Sequence, residues 1–234
     1  MFDSFPPGDV AVVVGASGGI GSALVQALAG DRTFTETIGF SRSTAPALDL
    51  KNESSIAACA QSLNRVGKPR LVIVATGLLH QVGISPEKST RELDPVVMAE
   101  LYAVNTIGPA MVMKHFLPLL PREGKAVLAV LSARVGSVAD NQLGGWFSYR
   151  AAKAAVNQIV HTAAIELRRR QRHSICVALH PGTVDTGLSA PFAKTGLKVQ
   201  PPALAAHCIL AVIDRLGFED TGGFFDHHGN EVPW

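Results

Sequence analysis

"VVVGASGGIG", residues 12–21, is the stretch from which this chain is read. Three consecutive valines predict a strand buried on both faces, because β-branched side chains suit a pleat and no polar residue marks a solvent side. Glycines follow at once. Gly15, Gly19 and Gly21 stand in a GxxxGxG spacing between that strand and the helical run Gly19–Leu28. A glycine turn there lets the backbone approach a pyrophosphate closely. The helix N-terminus then offers unpaired N–H groups and the positive end of its dipole. Ser17, Gly18 and Ile20 complete the turn. The stretch predicts a nucleotide-binding βα unit.

The same pattern extends along the chain. Near-continuous apolar runs at Val10–Val14, Thr37–Phe40, Leu71–Ala75, Ala126–Leu131 and Ser174–Leu179 predict parallel strands covered on both faces. They alternate with helical runs at Gly19–Leu28, Ser54–Leu63, Pro95–Leu119, Tyr149–Gln171 and Pro202–Leu216. Within the third, Gly108-Pro109 predicts a division into two helices. This alternation predicts an α/β fold: a single Rossmann-type domain over residues 1–234, with a doubly wound parallel sheet and helices on both faces. The stretch 187–202 lacks periodicity and reads as a mobile loop or lid.

Composition narrows the function classes. The net charge of +2 gives no electrostatic case for nucleic acid or membrane as partner. Three widely spaced cysteines form no disulfide framework, and the histidines show no metal-binding spacing, so the expectation is no metal and a reducing, cytoplasmic setting. Residues 10–30 carry no charge over a membrane-sized length, but four glycines interrupt them, which reads as two buried elements joined by a turn. The N-terminus has no basic region of the secretory kind. The basic run "LRRRQRH", 167–173, falls at a helix C-terminus, where cations complement the dipole.

The second strand ends in "IGFSRST", residues 38–44. A ribose 2′-hydroxyl would call for an acid there. The chain offers Ser41, Arg42 and Ser43 instead, and a guanidinium flanked by hydroxyls suits a 2′-phosphate. The expected cofactor is NADP(H), with NAD(H) disfavoured.

Past the middle lies "SYRAAKAAVNQIV", residues 148–160. Tyr149 and Lys153 are four apart and share a helix face. An ammonium beside a phenol can favour the phenolate; bringing an ordinary phenol from ~10 to about 7 asks for about 4 kcal/mol. GxxxGxG followed by YxxxK resembles the short-chain dehydrogenase/reductase family, over essentially the whole chain. Asp49 with Leu50, "VATG" at 74–77, Asn105 in "AVNTIGP" and "HPGTVDT" at 180–186 fit the same pattern. The segments "LSARVGS", "DNQLGGWFSYRAAKAA" and "FFDHHGNEVPW" look most like the C-factor-like proteins and related carbonyl reductases.

The resemblance implies roles. Tyr149 is the acid/base, Lys153 tunes it and holds the nicotinamide ribose, Asn105 relays protons, and a serine orients the carbonyl. Ala75, Thr76 and Gly77 would line the cofactor. Pro181, Gly182, Val184 and Thr186 would hold the nicotinamide carboxamide. Three departures stand out. In "LSARVG" Ser132 occupies the first serine place and Ala133 the second, leaving Ser132 as the candidate and Ser137 as the fallback. Thr76 replaces an asparagine, and Ala152 a serine before the lysine. The implied activity is hydride transfer between NADP(H) and a small carbonyl or alcohol, with Trp146, Phe147 and the 187–202 loop lining an apolar substrate side. The alternative is a C-factor-like signalling protein that binds NADP(H) with little turnover. A homodimer or homotetramer is expected by analogy.

Overall fold

The computed structural model describes residues 2–192 and 199–234. Six strands form one parallel sheet: β1 (Val10–Val14), β2 (Glu36–Phe40), β3 (Pro69–Val74), β4 (Ala126–Leu131), β5 (Ser174–His180) and β8 (Phe224–Asp226), in the spatial order β2-β1-β3-β4-β5-β8. A small parallel pair, β6 (Thr183–Val184) with β7 (Val199–Gln200), stands apart.

Alternation along each strand feeds two cores. In β1, Val10, Val12 and Val14 join the core with Ile56, Val112, Phe116 and Val156, under α2 (Glu53–Ser62), α4 (Gly108–Phe116) and α5 (Phe147–Arg170). Ala11 and Val13 join Leu24, Leu28, Ile209 and Ile213 on the opposite face, under α1 (Gly19–Ala29) and α6 (Pro202–Arg215). Both faces are covered, so strands need no polar side. This is why the sequence shows apolar runs rather than in/out alternation.

The strand order reverses between β1 and β3. Chains leaving their C-terminal ends part there and open a crevice, the usual ligand position in such sheets. The glycine turn follows β1, and Ala75–Gly77 follows β3.

Two elements differ from the expectation. The run Pro95–Leu119 is one continuous helical stretch. Its irregularity is a five-residue π turn at Ala103–Ile107, between α3 (Pro95–Tyr102) and α4, rather than a break at Gly108-Pro109. Pro109 has no N–H for the carbonyl four residues back, that of Asn105, and the widened turn accommodates the loss. By length and composition this stretch could span a membrane, but Leu101, Val112, Met113 and Phe116 are buried in the fold. The other difference is β8: three residues beside a glycine pair are too short to show a period.

Candidate active site

The glycine turn is sterically obligatory. Gly15 has φ +92°, and a Cβ there would lie 2.8 Å from the Ala75 oxygen. A Cβ on Gly21 would come within 2.0 Å of the Gly15 oxygen. The turn is tied to β2 by the Gly15 and Ala16 amides, which donate to the Phe40 oxygen, and Gly15, with Ser17 and Gly18, borders a cleft of about 360 Å³.

Gly15, Ser17, Gly18, Ser41, Arg42, Asp49, Leu50, Ala75, Thr76 and Gly77 line that cleft, all singled out by the sequence. Gly19, Ile20 and Gly21 are not among the residues lining the cleft; Ile20 packs against the α1/α6 core. The reading missed Leu48, Lys51, Leu78, Gln81, Glu100 and Val104 on the walls. Lys51 and Glu100, which pair at 2.9 Å, carried no local signal because their meeting is tertiary. Arg42 is exposed at the end of β2, beside the Ser41 and Ser43 hydroxyls, which lie 3.0 Å apart. Among the described residues, Thr76 Oγ1 is buried without a hydrogen-bond partner.

The segment after β5 faces the turn. A Cβ on Gly19 would sit 2.7 Å from Thr186 Cγ2, so Thr186 rests against the mouth of α1. Gly182 takes φ +80° and bends the chain after Pro181, whose carbonyl accepts from Gln200 Nε2 at 2.7 Å. Val184 is buried, and its carbonyl accepts from the Ser189 hydroxyl.

Tyr149 and Lys153 are both buried on the first turns of α5. Lys153 Nζ donates to Leu131 O at 2.9 Å and lies 5.8 Å from the Tyr149 ring centre. Gly77 brings the cleft to the same spot: a Cβ on it would be 3.6 Å from Asn105 Oδ1 and 3.9 Å from Lys153 Nζ. The Asn105 side chain is committed to the backbone of one residue, Leu78. It accepts from Leu78 N at 2.9 Å and donates to Leu78 O at 2.8 Å.

The expected acidification of the phenol is not what this geometry produces. Burial pushes the Tyr149 phenol well up and pulls the Lys153 ammonium down to about 8. In both cases the cause is burial, which strips the charged form of its hydration.

Both serine hydroxyls have hydrogen-bond partners away from Tyr149. Ser132 is buried and donates to Asn157 Oδ1 at 2.6 Å, on α5 two turns beyond Tyr149. Ser137 Oγ accepts from the Asp140 amide at 3.0 Å. Ala152 is buried and its carbonyl accepts from Thr106 Oγ1 at 2.8 Å.

On the far side of Tyr149 stands an aromatic wall. Trp146 lies 6.3 Å from the Tyr149 ring and 5.2 Å from Phe192, edge to face. His80 lies 5.4 Å from Phe192, and its Nε2 is 2.9 Å from the Gly187 oxygen. Of the expected 187–202 loop, residues 193–198 lie outside the described residues; Ala190–Phe192 form a single 3-10 turn. A larger hollow of about 930 Å³ lies near the other end of α5, about 28 Å along the helix, beside Arg168, Arg172 and Phe218. It brings together none of the predicted site residues.

Residues 9–196 match a family model described as short chain dehydrogenase. The chain belongs to that family. It is an oxidoreductase. Among relatives of this dehydrogenase, the C-signal protein of Myxococcus xanthus is 36% identical over 143 residues, covering 61% of this chain and 82% of that protein. The 1-hydroxy-2-glutathionyl-2-methyl-3-butene dehydrogenase of Rhodococcus sp. strain AD45 is 30% identical over 190 residues, covering 81% and 79%. The NADPH-bound carbonyl reductase from chicken fatty liver superposes with a TM-score of 0.84 at 23% identity, covering 100% of this chain and 96% of that one.

Proposed function

We propose that this dehydrogenase is an NADP(H)-dependent carbonyl reductase acting through Tyr149 and Lys153. The convergence of Tyr149, Lys153, Asn105 and Gly77 at the mouth of a glycine-floored cleft carries this reading. The cleft suits a dinucleotide: the turn leaves no room for a Cβ, and Thr76 Oγ1 is a buried polar atom in need of a partner. When bound, the nicotinamide supplies the hydride for the carbonyl carbon.

The chain supplies the rest. Tyr149, its phenol raised by burial, keeps its proton at neutral pH and can hand it to the carbonyl oxygen. A phenolate left behind would be unfavourable in that buried site. Lys153, lowered to about 8, titrates near neutrality, so it can offset that charge and pass a proton on. Gly15, Ser17 and Gly18 would bind the pyrophosphate, and Asp49 and Leu50 would border the adenosine side. Thr186, against Gly19, would hold the nicotinamide end with Pro181, Gly182 and Val184. Asn105 braces Leu78 and so the cleft wall. Ser132 is assigned to anchoring α5 through Asn157, because its hydroxyl is spent there. Arg42, exposed among serine hydroxyls with no acid in the Ser41–Thr44 turn, favours a 2′-phosphate. The NADPH-bound relative of the same fold is consistent with that choice.

A second reading, NADP(H) binding for signalling with little turnover, is favoured by two observations: the likeness to C-signal and the alanine at position 133. Titration of the purified protein with NADPH and with NADH, followed by a carbonyl panel, tests both. Tighter NADPH binding with turnover supports the reductase. Tight NADPH binding with no turnover of any carbonyl supports the signalling protein.

A further inference from the structure

Helix α5 begins without a cap of its own. Its N-cap position is Trp146, whose side chain makes no capping bond, and the first turn holds no acidic residue. Yet this is the longest uninterrupted α-helix among the described residues, and it carries Tyr149 as its third residue. Its first amides are unpaired donors at the positive end of a dipole and need an acceptor.

That acceptor comes from 61 residues upstream. Glu87 is 3% exposed, a level at which a carboxylate is rarely left without partners. Its carboxylate accepts from the Ser148 amide at 3.3 Å and from the Ser148 hydroxyl. Its main-chain oxygen accepts from the Trp146 amide. One residue thus holds the two positions that flank the helix start.

The conformation it holds is unusual. Gly144, Gly145 and Trp146 have φ of +64°, +66° and +55°, three left-handed residues in a row. Glycine adopts this freely; tryptophan does not. Arg150 secures the other side of the turn, donating to Gly145 O at 2.9 Å and to Gly144 O at 3.0 Å. A strained residue persists only where its surroundings over-determine it, and such residues cluster at functional sites. Here the strain aims the indole at Phe192 and the edge of Tyr149.

Glu87 also belongs to a segment tied to the rest of the site. Upstream of it, Leu78 is bonded to Asn105, and His80 contacts the Gly187 oxygen and the Phe192 ring. The segment 78–87 therefore links the cleft wall, the loop after β6 and the start of α5.

We propose that Glu87 is a positioning residue for the substrate side. By capping α5 from outside, it fixes left-handed Trp146 as the wall that meets Phe192 beside Tyr149, and so sets how a carbonyl approaches the phenol. This rests on the carbonyl-reductase reading above.

The test uses the full chain carrying Trp234→Phe, which leaves Trp146 as the only tryptophan. Glu87→Ala is expected to raise the carbonyl KM about tenfold or more, with KM for NADPH within about twofold. Trp146 emission should shift as the indole leaves its packing. Glu87→Gln, which keeps an oxygen for Ser148, should recover most of the KM and the parent emission. Unchanged carbonyl KM and emission in Glu87→Ala would overturn the proposal. So would a fall in kcat alone, with KM and emission as in the parent. Should Glu87→Ala not fold, Glu87→Asp, one methylene short, should show the same two changes in smaller size. A parent protein that reduces no carbonyl sinks the reductase reading, while Trp146 emission still decides whether Glu87 holds the wall.

Discussion

Lys153 Nζ donates to the Leu131 carbonyl at 2.9 Å, which ties the helix bearing Tyr149 to the C-terminal end of β4. The phenol is thereby held beside the cleft by the frame of the sheet. Tyr149→Phe removes the proton and little else. Its turnover of carbonyls with NADPH is expected to fall about 10²- to 10⁴-fold, with NADPH affinity unchanged. Steady-state rates and a fluorescence titration check this, and a variant as active as the parent would rule out Tyr149 as the proton donor.

The buried lysine sets the pH dependence. With Lys153 at about 8, carbonyl reduction should be level below that pH and decline above it as the ammonium is lost. The unfolded chain keeps the proton up to the ordinary 10.5, while native Lys153 and Lys125 release theirs near 8. Between those values the unfolded state binds more protons, so these groups add stability as pH rises. Rate and melting temperature measured together should therefore diverge from pH 8 to about pH 9, above which the unfolded chain also releases the protons of Cys59 and Cys176 that burial retains in the native state. A rate that falls only in step with melting would refute the assignment.

Cofactor choice should follow one side chain. Arg42→Ala is expected to weaken NADPH binding about 10- to 100-fold, the range for losing a charge-assisted phosphate contact, and to leave NADH nearly unaffected. Parallel titrations measure the ratio. Equal losses for the two nucleotides would mean Arg42 does not read the 2′-phosphate.

Ser132 and Ser137 separate by what they touch. Ser132→Ala strips buried Asn157 of its acceptor-side bond and should cost about 1–3 kcal/mol of stability. Its effect on kcat should stay below about tenfold. A loss of about a hundredfold in Ser132→Ala, at unchanged melting temperature, would restore this serine to the reacting centre. The same loss in Ser137→Ala would place Ser137 there instead.

The glycine turn, the strand–helix alternation and the Tyr149–Lys153 spacing are legible along the chain because each is local. A turn needs glycine where a Cβ would strike the backbone, a covered strand needs an apolar run, and residues four apart share a helix face. Gly15, Ser17 and Gly18 on the cleft could be named from these patterns alone, and Asp49, Leu50, Ala75, Thr76 and Gly77 from the family resemblance, while Leu48 and Lys51 could not. Arg42 could be named too, because its position at the end of β2 follows from the strand count.

Tertiary structure decided what depends on distant neighbours. The direction of the Tyr149 and Lys153 shifts follows from burial, and burial belongs to the packed chain rather than to a four-residue spacing. The Ser132 hydroxyl turns to Asn157 because β4 lies under α5, a contact across 25 residues. The π turn around Asn105 arises where Pro109 meets a helix that must stay packed on the sheet. Glu87 gave no signal in its own stretch; its meaning comes from a helix start 61 positions later that lacks a cap. Sequence periodicity reports which face a residue takes, but only the folded chain determines which partner it finds there.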